Sequence, residues 1–473
     1  MLFNSIEYLV FLPLVFLVYW KVLSRREVRN IFLIAASYVF YGWWNPIFLL
    51  LIFITTLCGY VSGVLLDSES SSRRRKLILW SNIAVNLGIL GVFKYFNFFA
   101  SSFSDMASVV GWHVDAVTLD IILPVGVSFY TFQALSYTID VYRGSMRGTR
   151  DIAAFFVFIS FFPQLVAGPI ERATNLLPQF LKESRFSYQE ALSGMRLILW
   201  GLFKKMVVAD NAGPIVDTIF ADHTSAGTVN LWIGAVLFTF QIYCDFSGYS
   251  DIAIGTARLF GINLSTNFRK PYFARGIHDF WQRWHISLTS WLRDYLYFPL
   301  GGSRNGKGKT VRNILVVFLT SGLWHGANYT YICWGAYHGT LMACNSIFRN
   351  KKKEWKKSPS YFATVLTLVF TFLIVLIGWV IFRSDNLHQS IDYLSLMFSH
   401  YSPYTTVMGK TALVWCALLT VLEAVSHKYE NPFAMHPVGL WRYGWVRMSV
   451  YALFFFFILI FAGNSAQFIY FQF

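Results

Sequence analysis

The chain has 473 residues, 56% of them hydrophobic, 19% aromatic and 13% charged, and its mean hydropathy is +0.49. That is about half the charge of an ordinary soluble domain, which excludes a water-soluble globular enzyme and predicts a polytopic membrane protein. The net charge of +15 does not read as nucleic-acid binding, because Lys and Arg sit in short clusters between apolar runs and not on a soluble module.

A hydrocarbon core of ~30 Å takes about 20 apolar residues per helix, and the apolar runs suffice for roughly ten to twelve crossings. The first run, Ile6 to Trp20, lacks a basic leader and is followed by Lys21, Arg25, Arg26 and Arg29 in place of a small-residue cleavage site. It reads as a retained helix with its N-terminus outside. Ile31 to Trp44 and Pro46 to Leu66 form a hairpin turning at Asn45-Pro46, since proline disfavours helix in the residue before it. The hairpin returns to Arg73, Arg74, Arg75 and Lys76, a cluster predicted to be cytoplasmic. Leu77 to Phe99 crosses outward. No Lys or Arg follows between Lys94 and Arg143, while Asp105, Asp115 and Asp120 appear, so an outside loop is predicted there before Ile121 to Ile139 returns.

From Ile152 to Phe260 the apolar runs are interrupted by Pro163, Gly168-Pro169, Lys204-Lys205, Asp210, Asp245 and Asp251. Irregular backbone at membrane depth survives only against protein or a watery cavity, so re-entrant or broken helices walling a central site are predicted. Asp245, Ser247, Tyr249 and Asp251 read equally as polar wall residues or as helix-end caps. Asp279 to Leu300 is too charged for lipid and predicts a partly interfacial helix. GGSRNGKGKT (Gly301 to Thr310) lacks the spacing and the βα context of a phosphate loop, and reads as a flexible basic loop.

Arg304, Lys307, Lys309 and Arg312 are predicted to be cytoplasmic, as are Arg349, Lys351, Lys352, Lys353, Lys356 and Lys357, with a helical hairpin between the two groups. A helix rising ~1.5 Å per residue from Arg312 climbs roughly 20 Å by His325, well inside the core. Gly322, Gly326 and Asn328 supply the bend. Ser360 to Phe382, Thr411 to Leu422 and Val446 to Phe461 complete the crossings, and residues 1–473 read as one integral-membrane domain.

The five cysteines, Cys58, Cys244, Cys333, Cys344 and Cys416, are dispersed without CxxC spacing, so neither a disulfide framework nor a metal site is indicated. Ionisable side chains at membrane depth are functional candidates by default, because hydrocarbon offers them no partner. His285 lies in RWHIS, near Arg283, Arg293 and Asp294. His325 lies in GLWHGAN, with Asn328 three residues on. His338, in AYHG, reads as a helix-packing histidine, and Trp281, Trp284, Trp291, Trp324 and Trp334 as packing and interfacial anchors. There is no GxSxG or HExxH, so neither a serine-hydrolase nor a zinc mechanism is supported.

FFPQLVAGPIER (Phe161 to Arg172), YCDFSGYSDIAIG (Tyr243 to Gly255), NFRKPY (Asn267 to Tyr272), FWQRWHISLTSWLRDYLYFPLGG (Phe280 to Gly302), LWHGANYTYICWGAYHG (Leu323 to Gly339) and FIYFQF (Phe468 to Phe473) together resemble the membrane-bound O-acyltransferase (MBOAT) family. The likeness is to its bacterial alginate-type polysaccharide O-acetyltransferase branch. It implies an all-α polytopic membrane protein, with roughly 10–12 transmembrane helices plus re-entrant or interfacial helices around a central tunnel and core motifs over residues 161–339.

The resemblance also implies acyl transfer without a metal. His325, the histidine of the family's WHG pattern, would be the general base on an acceptor hydroxyl. His285, at the family's second polar position, where many eukaryotic relatives have asparagine, would orient the acyl donor or polarise its carbonyl. Arg283, Arg293, Asp294 and Asn328 are candidate substrate-binding residues, and Arg304, Lys307 and Lys309 suit the phosphates of a cytoplasmic acetyl-CoA, which would be a donor substrate and not a bound cofactor.

The implied setting is the lipid of a bacterial inner membrane, with a secreted or membrane-anchored SGNH-type acetyltransferase that modifies an extracytoplasmic polysaccharide. Two alternatives are a D-alanyl transferase of teichoic acid with the same fold, and a transporter or flippase that moves an acylated carrier without chemistry. FIYFQF and AGPIER favour the acetyl branch.

Overall fold

A computed structural model of the chain describes residues 1–113, 115, 117–119, 124–166, 168–348, 360–399, 406–435, 439–463 and 468–469. These residues are helical, with no strand among them. Five helices among the described residues are long and apolar enough to cross a membrane: Phe48–Ser68, Ser72–Val109, Gly227–Leu259, Tyr361–Arg383 and Gly444–Phe461. The other apolar runs form helices too short or too polar to meet that test. Val127–Arg143, for example, has 17 residues and buries Gln133 and Asp140 along with its apolar positions. Such a helix is buried against protein and does not face lipid. The chain packs as two units, residues 1–195 with 253–265, and residues 196–252 with 266–473.

In the first unit the expected hairpin forms from Arg26–Gly42 and Phe48–Ser68. The next crossing departs from expectation, because the helix that starts at Ser72 continues to Val109 and takes Asp105 into it. The predicted outside loop is shorter by that much, and Asp120 and residues 121–123 lie outside the described residues. Arg73 to Lys76 sit in the first turns of the same helix. Arg75 turns back to donate to the carbonyls of Leu66, Glu69, Val141 and Tyr142, so it closes the C-terminal ends of two helices where the dipole favours a cation.

Tight packing and short helices complete this unit. A Cβ at Gly63 would lie 2.2 Å from Tyr137 Oη, so only glycine lets those two helices meet. The irregular stretch after Ile152 gives the short helices Ile152–Ser160, Phe162–Leu165 and Ala173–Phe180. Glu171 of the AGPIER motif is buried and accepts from Ser265 N–H, Ser265 Oγ and Asn175 Nδ2.

The helix Gly227–Leu259, of which residues 227–252 belong to the second unit, runs unbroken through Asp245 and Asp251, so these residues neither interrupt nor cap it. Opposite charge replaces water as their partner. Lys205 Nζ lies 2.7 Å from both Asp210 and Asp245, and Asp245 also accepts Ile469 N–H at 2.7 Å. Lys204 Nζ lies 2.7 Å from Asp251 and donates to Ser247 Oγ at 2.9 Å.

Asp279 to Leu300 is not one interfacial helix. It forms Ile277–Trp281, Ile286–Leu292 and a wider turn at Arg293–Tyr297, broken at His285, whose φ is 42°. The basic loop is shorter than expected, since Lys307 already opens the helix Lys307–His325. Asn313 donates to the carbonyls of Leu300 and Gly302 and pins the turn.

That helix pairs with Tyr329–Phe348 as the predicted hairpin, joined through Gly326, Ala327 and Asn328. Gly322 does not bend it. A Cβ there would lie 2.2 Å from the Tyr331 carbonyl oxygen, so Gly322 serves close contact of the two backbones. Arg349 to Lys357 lie outside the described residues.

Candidate functional site

The two histidines singled out in the sequence, forty positions apart, meet in the second unit. His285 heads the helix Ile286–Leu292 in a left-handed conformation, a cost of order 1–3 kcal/mol for a residue with a Cβ, which persists only where the surroundings enforce it. They do so through Asn267 of the NFRKPY stretch, which is fully buried. The Asn267 carbonyl accepts Ile286 N–H at 2.9 Å. Its side-chain Oδ1 lies 3.1 Å from His285 Nδ1 and accepts from Ser287 N and Ser287 Oγ at 3.3 and 2.9 Å. Phe246 stands edge-on to the His285 ring at 4.7 Å and Phe268 lies along it at 6.3 Å. Burial keeps the imidazole neutral, with its pKa pushed down to about 3.

His325 is the last residue of the helix Lys307–His325 and is 4% exposed. The extended Gly326 then turns the chain away, so the ring projects from a helix end and not from a helix face. Trp324, Trp334 and Phe382 surround it edge-on, with ring centres 5.0, 5.1 and 5.4 Å away. The His285 and His325 ring centres are 6.4 Å apart, and Trp324 packs on both, 5.8 Å from His285. Two imidazoles in an aromatic enclosure can exchange a proton with a hydroxyl or a thiol brought between them, in surroundings of low dielectric.

Residues 147–384 match the MBOAT, membrane-bound O-acyltransferase, family profile. The chain is 40% identical to the probable alginate O-acetylase of Azotobacter vinelandii over 90% of its own length and 83% of that protein. It is 30% identical to the peptidoglycan O-acetyltransferase of Helicobacter pylori, over 100% of this chain and 98% of that one. It is also 31% identical to the teichoic acid D-alanyltransferase of Bacillus subtilis, over 56% of this chain and 69% of that one.

The chain belongs to the membrane-bound O-acyltransferase family. It is a multi-pass membrane enzyme that carries out O-acylation, and the histidine pair lies within the matched residues.

The remaining candidates of this O-acyltransferase scatter. Arg283 pairs with Asp279 at 2.7 Å, and Arg293 with its neighbour Asp294 at 2.8 Å. Both arginines are thereby engaged in partly exposed pairs of small energetic value, and none of the contacts described for them reaches the histidines. Asn328 accepts Thr330 N–H and donates to the Asp385 carbonyl, which makes it the cap of the helix Tyr329–Phe348. Arg304, Lys307 and Lys309 are exposed, and the two lysines lie in the first turn of the helix Lys307–His325, Lys307 about 27 Å from His325 along the axis at ~1.5 Å per residue.

His338 is buried among Trp281, Trp334 and Tyr337, with ring centres 5.1–5.2 Å away, and a Cβ at Gly378 would lie 2.5 Å from its Nε2. That is the packing histidine expected. Trp324 and Trp334 are not interfacial anchors, since they form the wall of His325. Sequence reading missed Asn267 although NFRKPY was noticed, and it missed Phe246 and Phe382. An asparagine eighteen residues from a histidine follows no spacing rule, and only the break at His285 brings the two together.

Proposed function

We propose that His325 is the general base of an acetyl transfer from cytoplasmic acetyl-CoA that moves the acetyl group across the membrane for O-acetylation of an extracytoplasmic polysaccharide, with His285 as its companion. The observation that carries this reading is the pairing of two buried imidazoles, 6.4 Å between ring centres, inside an aromatic enclosure. His325 takes the proton of the acceptor hydroxyl as the oxygen attacks the thioester carbonyl, and returns it to the departing thiolate, so no metal is required. The carbonyl end of the helix Lys307–His325 favours the positive charge the ring acquires in between.

The acceptor side is completed by a secreted or membrane-anchored SGNH-type acetyltransferase that passes the acetyl group to the sugar. The alginate and peptidoglycan O-acetylating relatives, matched over 83% and 98% of their lengths, support an acetyl group over the D-alanyl group of the teichoic acid enzyme, matched over 69%. Release of free CoA by the purified protein from acetyl-CoA tests the reading. Acyl transfer only from a D-alanyl carrier protein, with the deacylated carrier thiol as the product and no CoA released from acetyl-CoA, would overturn it in favour of D-alanylation.

The enzyme sits in the bacterial cytoplasmic membrane with its N-terminus outside, as the basic clusters require. A cysteine at position 308 tests this, because a Cβ there meets nothing within 4 Å and the substitution leaves the fold alone. It should be shielded from an impermeant thiol reagent in intact cells and react once the cells are opened. Labelling from outside would invert the topology.

Arg304, Lys307 and Lys309 form the entry patch for the donor phosphates. Their joint replacement by alanine is expected to raise the KM for acetyl-CoA more than it lowers kcat, as loss of uniform binding does. A collapsed kcat at unchanged KM would remove them from donor binding.

A further inference from the structure

We infer that Asn267 is a positioning residue that fixes the tautomer of His285, so that His285 serves the reaction as a hydrogen-bond acceptor at Nε2 and not as a donor to the thioester carbonyl. The orientation of the Asn267 amide decides this, and its neighbours settle which end is oxygen. Ser287 N–H can only donate, and it points at Oδ1 from 3.3 Å. Ser287 Oγ donates to the same oxygen at 2.9 Å, while Asn267 Nδ2 donates to Ser250 Oγ at 3.2 Å.

With Oδ1 facing His285 Nδ1 at 3.1 Å, Nδ1 must carry the hydrogen. A neutral imidazole carries only one, so Nε2 is left with its lone pair. The neutrality follows from complete burial, and of the rings described around His285, namely Phe246, Phe268, Trp324 and His325, only His325 titrates. This is the logic by which a group behind a histidine sets its role.

A ring so held cannot polarise a carbonyl, which needs an N–H at the reacting side. It can accept a hydrogen bond from the acceptor hydroxyl or from an N–H of His325, holding either in line for the transfer. The inference assigns to His285 one of two roles that its position alone leaves open, and it rests on the reading of His325 as the base.

The test compares Asn267→Leu, Asn267→Asp and His325→Ala as full-length protein in detergent, with acetyl-CoA as the donor probe. Leucine keeps the size and the backbone bond to Ile286 but frees the ring to adopt either tautomer. It is expected to lower kcat at least 10-fold with the KM for acetyl-CoA changed less than 3-fold. Aspartate keeps an acceptor behind Nδ1 and so restores most of kcat at pH 8. Its carboxylate also stabilises the imidazolium, which protonates Nε2, so activity should fall on the acid side below about pH 6–7, where the parent enzyme has no such limb from His285.

A purely structural asparagine would not create that limb. Parent-like kcat in Asn267→Leu, or an unaltered pH profile in an active Asn267→Asp, overturns the inference. If the leucine variant does not fold, the aspartate profile decides alone. Retained activity in His325→Ala would instead overturn the reading of the base, an outcome separable from either of these.

Discussion

Changing His325 to alanine is expected to lower acyl transfer by at least ~10²–10⁴-fold, the range that general acid–base catalysis contributes, while the extracted protein melts close to the parent temperature. His325→Gln should fare no better, because glutamine keeps a polar group but cannot take up a proton. A structural histidine predicts the reverse pairing. Alanine would then destabilise by ~1–3 kcal/mol through lost hydrogen bonding, and glutamine would restore both folding and turnover. The site makes the contrast sharp, because the rings of Trp324, Trp334 and Phe382 hold His325 edge-on. Glutamine can fill much of the space between those rings, but neither variant can take up a proton, so the pair separates packing from proton transfer. CoA release and melting temperature, measured side by side for the two variants, decide between these outcomes. Full turnover in a stably folded glutamine variant would sink the catalytic assignment.

The histidines were legible because charge in an apolar chain is conspicuous, and the crossing helices because length and hydropathy alone define them. Tyr361–Arg383 and Gly444–Phe461 fall within two residues of the sequence limits. What the sequence concealed has one physical cause, namely that protein can stand in for water at membrane depth. Asp245 and Asp251 looked like helix breaks, yet each is neutralised by a lysine from a different helix, a pairing that no local pattern announces. Asp279 to Leu300 looked like one amphipathic helix, since its periodicity carries no sign of the left-handed residue at its centre. Asn267 enforces that break from another stretch of chain. Arg283 and Arg293, read as binding residues from their nearness to His285 in sequence, spend their charge on adjacent carboxylates.

The largest stability effect is expected at Lys205. Its ammonium is 2% exposed and lies 2.7 Å from Asp210 and from Asp245, themselves 2% and 4% exposed. Lys205→Met would remove the ammonium that lies between two buried carboxylates, and breaking a buried ion pair in this way costs about 3–5 kcal/mol. The loss should spread along the chain. Asp245 also holds Ile469 N–H, and Asn211, next to Asp210, donates to the Phe461 carbonyl at 2.7 Å, so Ile469 and the end of the helix Gly444–Phe461 lose these moorings. Charge, and not the lysine stem, is the origin of the effect, since methionine preserves the volume and the apolar contacts. Adding Asp210→Asn and Asp245→Asn to Lys205→Met should therefore recover most of the lost stability, because replacing a whole buried ionic group by neutral residues is often close to neutral. Melting temperatures of the extracted single and triple variants measure this. A triple variant no more stable than Lys205→Met would mean that packing of the lysine stem, and not uncompensated charge, holds this part of the second unit together.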